Sequence, residues 1–252
     1  MTLMALVNTD STPLPQQSKQ NRLGLASPGL WLWFAFLGLT LGWDASGADI
    51  RVMAWLGDAQ GFAFRDHWWL STIGHDGAKR LAVLVFLGIV WMAFQPMGIW
   101  RQMPRTQRLE IVVGITLSLL VVTAIKRFSL TSCPWELQAF GGPAAHVSHW
   151  LWGLADGGSG RCFPGGHVSS AFAFLGLALP WLVSDSAAQR KTGLRILGVV
   201  LGMGLLLGLT QTLRGAHFPS HTLWTGFICW SVVLANHFVF GWIVTRRVAL
   251  AA

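Results

Sequence analysis

Charge is scarce in this sequence. Lys, Arg, Asp and Glu together make up 11% of its 252 residues, less than half of the roughly 25% of an ordinary soluble domain. Tyrosine is absent, cysteine occurs three times, and the 18 Lys and Arg are spread thinly although they outnumber the ten Asp and Glu. Without a dense basic run the excess cation argues against nucleic acid as a partner. In a chain that is 53% hydrophobic it sets topology instead, through Lys and Arg on the cytoplasmic loops. What is abundant is apolar sequence and tryptophan, fifteen copies of it, the composition of a polytopic membrane protein. With most of the length spent in spans there is no room for a second core, so residues 1–252 form a single membrane domain.

A span needs about 20 predominantly apolar residues. Six runs qualify, at 29–44, 81–100, 109–126, 168–184, 195–213 and 222–244, which predicts an all-α fold of six transmembrane helices. The first follows a polar leader, 1–28, and lacks a convincing small-residue cleavage site, so it is expected to be retained rather than removed as a signal. Residues 245–252 are expected as a short cytoplasmic tail. An even number of spans puts both termini on one side, together with Lys19, Arg22, Arg101, Arg105, Arg108, Arg190, Lys191, Arg195, Arg246 and Arg247, which marks that side as cytoplasmic. The opposite face receives the segments 45–80, 127–167 and 214–221, which hold most of the acids and every histidine except His237. His237 falls inside the last span and reads as a packed or hydrogen-bonded residue.

Cys133 and Cys162 share this outer face, where an oxidising compartment permits a disulfide; two unpaired thiols are the equal alternative, because sequence does not fix the geometry a bridge requires. Cys229 reads as a small apolar residue. The pair His146 and His149, and the segments His67–Trp69 and His75–Gly77, read as loop or interfacial features, since Trp favours the membrane boundary.

Three patches at outer span ends carry reactive side chains: "AIKRFSLTSCPWEL", "RCFPGGHVSS" and "TLRGAHFPSHTLW". Facing helices can bring such ends together. Gly165 and Gly166 let a ligand approach the backbone, and the helix after them offers free N–H groups to an anion. His167 then stands beside that anion, with Lys126, Arg161 and Arg214 as cations to neutralise it. His167 and His217 can divide the work of general acid and nucleophile. The chemistry is that of phosphoryl transfer.

These patches resemble the three motifs of the type 2 phosphatidic acid phosphatase (PAP2) family, helical-bundle relatives of vanadium haloperoxidases. Lys126 is followed seven and eight residues later by Cys133 and Pro134 where the family has Arg-Pro. Pro164, Gly165, Gly166 and His167 match Pro-Ser-Gly-His with Gly165 in place of Ser. His217 in "GAHFPS" takes the position of the nucleophile, while Thr210 and Gln211 replace Ser-Arg and His221 replaces an Asp that orients the nucleophile. The resemblance covers about half the chain; residues 1–80 match only in general architecture. Arg214, one turn from the missing Arg, and Arg161 are the candidates to restore the lost charge, and Glu136, Asp156 or Asp76 the candidate carboxylates.

The resemblance implies a membrane-embedded phosphatase of the bacterial inner (cytoplasmic) membrane with a periplasmic site. His217 attacks phosphorus to give a phosphohistidine and His167 protonates the leaving oxygen. His221 supports His217, while Lys126, Arg214, Arg161, Gly165 and Gly166 bind phosphate. It needs no metal or other cofactor. Its partners are membrane lipids and a lipid phosphate substrate: lipid A-type, phosphatidylglycerophosphate, phosphatidic acid or undecaprenyl pyrophosphate. The alternatives are a phosphotransferase using the same intermediate, a zinc enzyme built on the His217-x-x-x-His221 spacing, which lacks an HExxH glutamate and contains Pro219, and an inactive relative or a transporter, which the scarcity of charge within the spans disfavours.

Overall fold

The computed structural model describes residues 28–251; residues 1–27 of the polar leader and Ala252 lie outside the described residues. Seven helices follow in order: α1 (Pro28–Ser46), α2 (Ala48–Leu56), α3 (Trp69–Gln102), α4 (Arg105–Phe128), α5 (Ser169–Leu182), α6 (Ala187–Leu213) and α7 (Pro219–Ala251). A minimal antiparallel hairpin, Gly57–Asp58 with Gly61–Phe62, follows α2.

Among the described residues four helices are long and apolar enough to cross a membrane: Trp69–Gln102, Arg105–Phe128, Ala187–Leu213 and Pro219–Val244. The expected run at 29–44 is the helix α1, which is not among these four. The run at 168–184 becomes α5, which at 1.5 Å per residue is about 21 Å long, short of the roughly 30 Å hydrocarbon layer. Its apolar character has another cause. Phe172, Leu175, Leu179 and Trp181 are all buried, because α4, α6 and α7 wrap α5 on its flanks. A helix hydrophobic on every side is an interior helix. By contrast Trp91, Leu84, Leu120, Val199 and Trp242 are exposed on the outer helices, the apolar surface a bilayer would cover.

Two further boundaries differ from the sequence expectation. α3 begins at Trp69 rather than 81, its first nine residues, Trp69–Gly77, wound as a π-helix before the α-helical stretch Ala78–Phe94. The polar "HDG" pulls the local hydropathy down, yet the helix runs through it. α7 continues to Ala251, so the expected tail at 245–252 is helical as far as that residue.

Polar groups pin the bundle. Trp33 Nε1 donates to Ser231 Oγ at 2.8 Å and Trp230 Nε1 to Gly29 O at 3.1 Å, fastening α1 to α7. His237 Nδ1 lies 2.6 Å from Glu110 Oε1, and Asn236 Nδ2 donates to Glu110 O at 2.9 Å, fastening α7 to α4. A second, smaller core of Met53, Phe62, Leu137, Phe140, Ala144 and Phe218 seats α2, the hairpin and the 129–168 segment on the start of α7. This layer closes one end of the bundle.

Close packing of α5 against α6 rests on Gly204, where an added Cβ would overlap the Phe172 ring. A ring wedged in a packed core cannot step aside, and overpacking of this kind costs about 1–3 kcal/mol. Gly204→Ala is therefore expected to lower the thermal midpoint of the detergent-solubilised protein, and an unchanged midpoint would show that α5 and α6 separate easily.

Candidate active site

The three sequence patches meet beneath the small second core. Lys126 stands in the last turn of α4. The 129–168 segment returns to it by way of a disulfide, Cys133–Cys162, which decides the alternative the sequence left open. Glu136 Oε2 accepts from Cys133 N at 2.9 Å, and Asp156 accepts from Ser132 N at 2.6 Å and from Ser132 Oγ at 2.7 Å. Both carboxylates are thus engaged in holding the loop, and neither bonds His167, His217 or His221.

After Cys162 the chain passes a cis peptide at Phe163–Pro164. Gly165 is held by its N–H to His221 O at 3.4 Å and by Thr225 Oγ1, which donates to Gly165 O at 3.2 Å. A Cβ on Gly166 would stand 3.0 Å from Lys126 Cδ, so glycine here leaves the channel along which the lysine stem runs. The N–H groups of Gly166, His167 and Val168 have no hydrogen-bond partner among the described residues, three donors side by side next to a cation. Such a cluster suits an anion.

α6 ends in a Schellman motif. Gly215 N bonds Thr212 O at 2.9 Å and Ala216 N bonds Gln211 O at 2.9 Å, with Gly215 at φ 73°. That left-handed conformation favours glycine, and a Cβ there would also strike the Phe62 ring. The reversal delivers His217, and Pro219 starts α7 at a position where a missing N–H costs nothing, so His221 falls in its first turn.

The two imidazoles of that turn are paired. His217 Nδ1 is 3.4 Å from His221 Nδ1 and 3.3 Å from Cys162 Sγ. A disulfide sulfur carries no proton, so its 3.0 Å approach to Ala216 O is packing rather than a hydrogen bond. His217 is 6% exposed and His221 fully buried. Burial first, then the nearby Lys126 ammonium and His167, push His217 down to about 3; it is a neutral imidazole at physiological pH, with a lone pair available. His167 is pushed down to about 4 by burial and then by His75.

His75 is a neighbour that the sequence reading assigned to the membrane lip. Its ring stacks on His167 with centroids 4.3 Å apart, and Gly74 O lies 2.9 Å from His167 Nε2. The π-wound start of α3 thus covers the site. Asp76 bonds His75 Nδ1 at 2.8 Å, which spends the last of the three candidate carboxylates away from His221. Arg214, at the α6 terminus, donates from Nε to Arg65 O at 2.9 Å and from a terminal nitrogen to Gln211 Oε1 at 3.4 Å. It therefore reaches back toward the position where the resemblance places an arginine. Arg65 and Arg214 both lie over the Trp135 ring; Arg65 carried no motif signal. The Arg161 backbone N–H bonds Ser129 O at 2.8 Å at a left-handed φ of 58°, but its side chain is exposed and makes no hydrogen bond or ion pair among the described residues. His149, read as interfacial, packs flat on Phe163 at 4.3 Å and edge-on to His221 at 6.1 Å.

Cys133, Cys162 and His217 bring three soft ligand atoms within 4.8 Å of one another. With both sulfurs bonded to each other they provide no thiolate, and the oxidised site does not fit a zinc ion.

The depressed histidines fix a pH response. An unfolded chain protonates both residues near 6.5, the folded chain only near 4 and 3. Between those values the unfolded state holds more protons, so stability falls on acidification and is fully present above about pH 6.5. The thermal midpoint in detergent is expected to drop between pH 7 and 4, and to drop less in His167→Gln; equal slopes would mean that His167 is not held neutral by burial.

A sequence model of the PAP2 superfamily matches residues 107–247. Neither a curated protein nor a solved structure matches the chain significantly. The matched span contains Lys126, His167, Arg214, His217 and His221 and covers more than half the chain, so the protein belongs to the PAP2 superfamily, a family of phosphatases acting on phosphate esters.

Proposed function

We propose that the protein hydrolyses the phosphomonoester or pyrophosphate of a membrane lipid through a phosphohistidine on His217. The observation that carries this reading is the convergence of a neutral buried imidazole, a lysine stem and three free backbone N–H groups at one point between helices. His217 Nε2 attacks phosphorus while its Nδ1 side faces His221. The ester oxygen leaves toward His167, which a bound phosphate dianion draws back to the protonated state by its charge. The Lys126 ammonium, the Arg214 guanidinium and the N–H groups of Gly166 and His167 take the charge on the equatorial oxygens. Water then attacks the phosphohistidine, releasing phosphate and restoring His217.

In this reading α1 and α5 lie within the membrane with the four long helices, which makes six in all. Lys126, His167 and His217 face the periplasm of a bacterial inner membrane, and both termini are cytoplasmic. The Arg and Lys residues at 101–108 and 190–195 support that orientation. The substrate is a lipid because the site sits where helix ends meet headgroups, beside exposed Trp68, Trp69, Trp150 and Trp152. The burial of His217 and His167, 6% and 8% exposed, favours a second reading, transfer of the phosphoryl group to an acceptor lipid in a site that excludes water.

Phosphate release from a panel of lipid phosphates decides between them. Hydrolysis is expected to persist in EDTA, to vanish in His217→Ala and to fall at least tenfold in Arg214→Ala. Phosphate that appears on a second lipid rather than in solution supports transfer. Loss of activity in EDTA, or an active His217→Ala, removes the phosphohistidine reading.

A further inference from the structure

Two arginines share one aromatic ring beside the site, and one of them belongs to none of the three sequence patches. Arg65 Cζ lies 4.9 Å and Arg214 Cζ 5.9 Å from the centroid of the Trp135 ring. A guanidinium within about 6 Å of an aromatic face is held there by the ring's quadrupole. The contact uses the flat face of the ion, so its N–H edge stays free for a planar or tetrahedral oxyanion. Trp135 is itself fixed, because its backbone N–H donates to Gly215 O at 3.0 Å. Gly215 precedes His217 by two residues, at most about 7 Å along the chain, so the stack is anchored close to His217.

Neither ion is neutralised. Among the described residues no carboxylate forms an ion pair with Arg65 or Arg214. The acids whose charge reaches Arg214 are Asp66 and Asp76, and Asp76 is engaged by His75 at 2.8 Å. Arg214 spends Nε on Arg65 O and one terminal nitrogen on Gln211 Oε1, which leaves its other terminal nitrogen free among the described residues. The Arg65 guanidinium is held there by the ring alone. Two like charges on one ring repel each other, and a bridging anion turns that repulsion into attraction.

His167 supplies an independent observation. Its Nε2 is occupied by Gly74 O at 2.9 Å. An alkoxide leaving from a phosphomonoester needs a proton from that atom. A phosphate leaving from a diphosphate needs none when guanidiniums take its charge through their N–H edges.

We propose that Arg65 and Arg214, stacked on Trp135, form a second anion subsite that holds the lipid-bound phosphate of a diphosphate ester while the terminal phosphate is cleaved. The inference rests on the proposed phosphohistidine reading. His217 Nε2 bonds to the terminal phosphorus, the bond from that phosphorus to the bridging oxygen breaks, and both of its electrons stay on the oxygen. The leaving group is a lipid monophosphate, whose new negative charge falls to the arginine pair. Arg214 serves both phosphates and Arg65 the second alone. Water then hydrolyses the phosphohistidine as it would after cleavage of a monoester.

Farnesyl diphosphate and farnesyl monophosphate have the same tail and differ by the second phosphate. Wild-type protein in detergent is expected to show kcat/KM about tenfold higher on the diphosphate, the worth of one charge-assisted contact. Arg65→Ala is expected to remove that preference and to leave turnover of the monophosphate within twofold. A wild type without the preference, a preference that survives in Arg65→Ala, or an equal fall on both esters overturns the subsite. A loss confined to phosphatidylglycerophosphate over phosphatidic acid overturns the diphosphate assignment and moves the second phosphate to a headgroup. Titration calorimetry adds a readout that needs no turnover: methylenediphosphonate is expected to bind wild type about tenfold more tightly than inorganic phosphate, and Arg65→Ala to bind the two equally. If wild type cleaves neither farnesyl ester, the proposed function fails and the titration alone decides the subsite; equal binding by wild type, or an advantage that Arg65→Ala keeps, refutes it.

Discussion

In the proposed reading His217 is the nucleophile, which has to be kept neutral and held by its other nitrogen, and this fold meets both demands by taking the ring out of water. Burial removes the proton that would silence the ring; the nearby lysine reinforces it. The same burial creates a new requirement, because Nδ1 then needs a partner in a dry setting. His221, four residues on and fully buried, meets it. An imidazole has two nitrogens, and the far one, Nε2, is buried without a hydrogen-bond partner among the described residues.

The scaffold is arranged to make that burial possible. α5 sits inside the bundle instead of at its edge, so that α4, α6 and α7 can converge on its N-terminus and bring Lys126, the Gly215 turn and His221 to within reach of His167. Gly166 keeps the lysine path open and Gly215 lets α6 reverse against Phe62. The disulfide ties the loop that carries His167 to the loop beneath the small second core. Glu136 and Asp156, which the sequence offers as candidate carboxylates to support His217, are absorbed by this task. Their backbone donors, Cys133, Ser132 and Ser159, are what a loop without regular hydrogen bonding must satisfy.

The helical class, and the meeting of Lys126, His167 and His217, were legible because each depends on local pattern: long apolar runs, and residue types at short fixed spacings. What was hidden depends on contacts between distant segments. Hydropathy is blind to whether an apolar helix faces lipid or protein, so the run at 168–184 gave no sign that α5 is short and interior. It also cuts α3 at residue 81, since His75, Asp76, Lys79 and Arg80 look like a loop; the π-wound turn that places His75 on His167 therefore left no sign. Asp44 reads as the last residue of a span, and its link to His149 joins positions more than a hundred residues apart. No periodicity reports such a pair.

The position of Gly74 bears on how the site works. Its carbonyl occupies His167 Nε2, the atom that would protonate a leaving oxygen, and the stacked His75 covers the same ring. In the proposed reading a substrate whose ester oxygen reaches His167 would have to displace that carbonyl, and the first turns of α3 would give way as it binds. A π-helix holds one residue more per hydrogen-bonded turn than an α-helix, and such turns gather at functional sites; slipping by that one residue would rotate His75 and Gly74 off His167 while Ala78–Phe94 stays in place. In the proposed reading the cover would also be the barrier to water, and the choice between hydrolysis and transfer would depend on whether it opens while the phosphoryl group is still on His217.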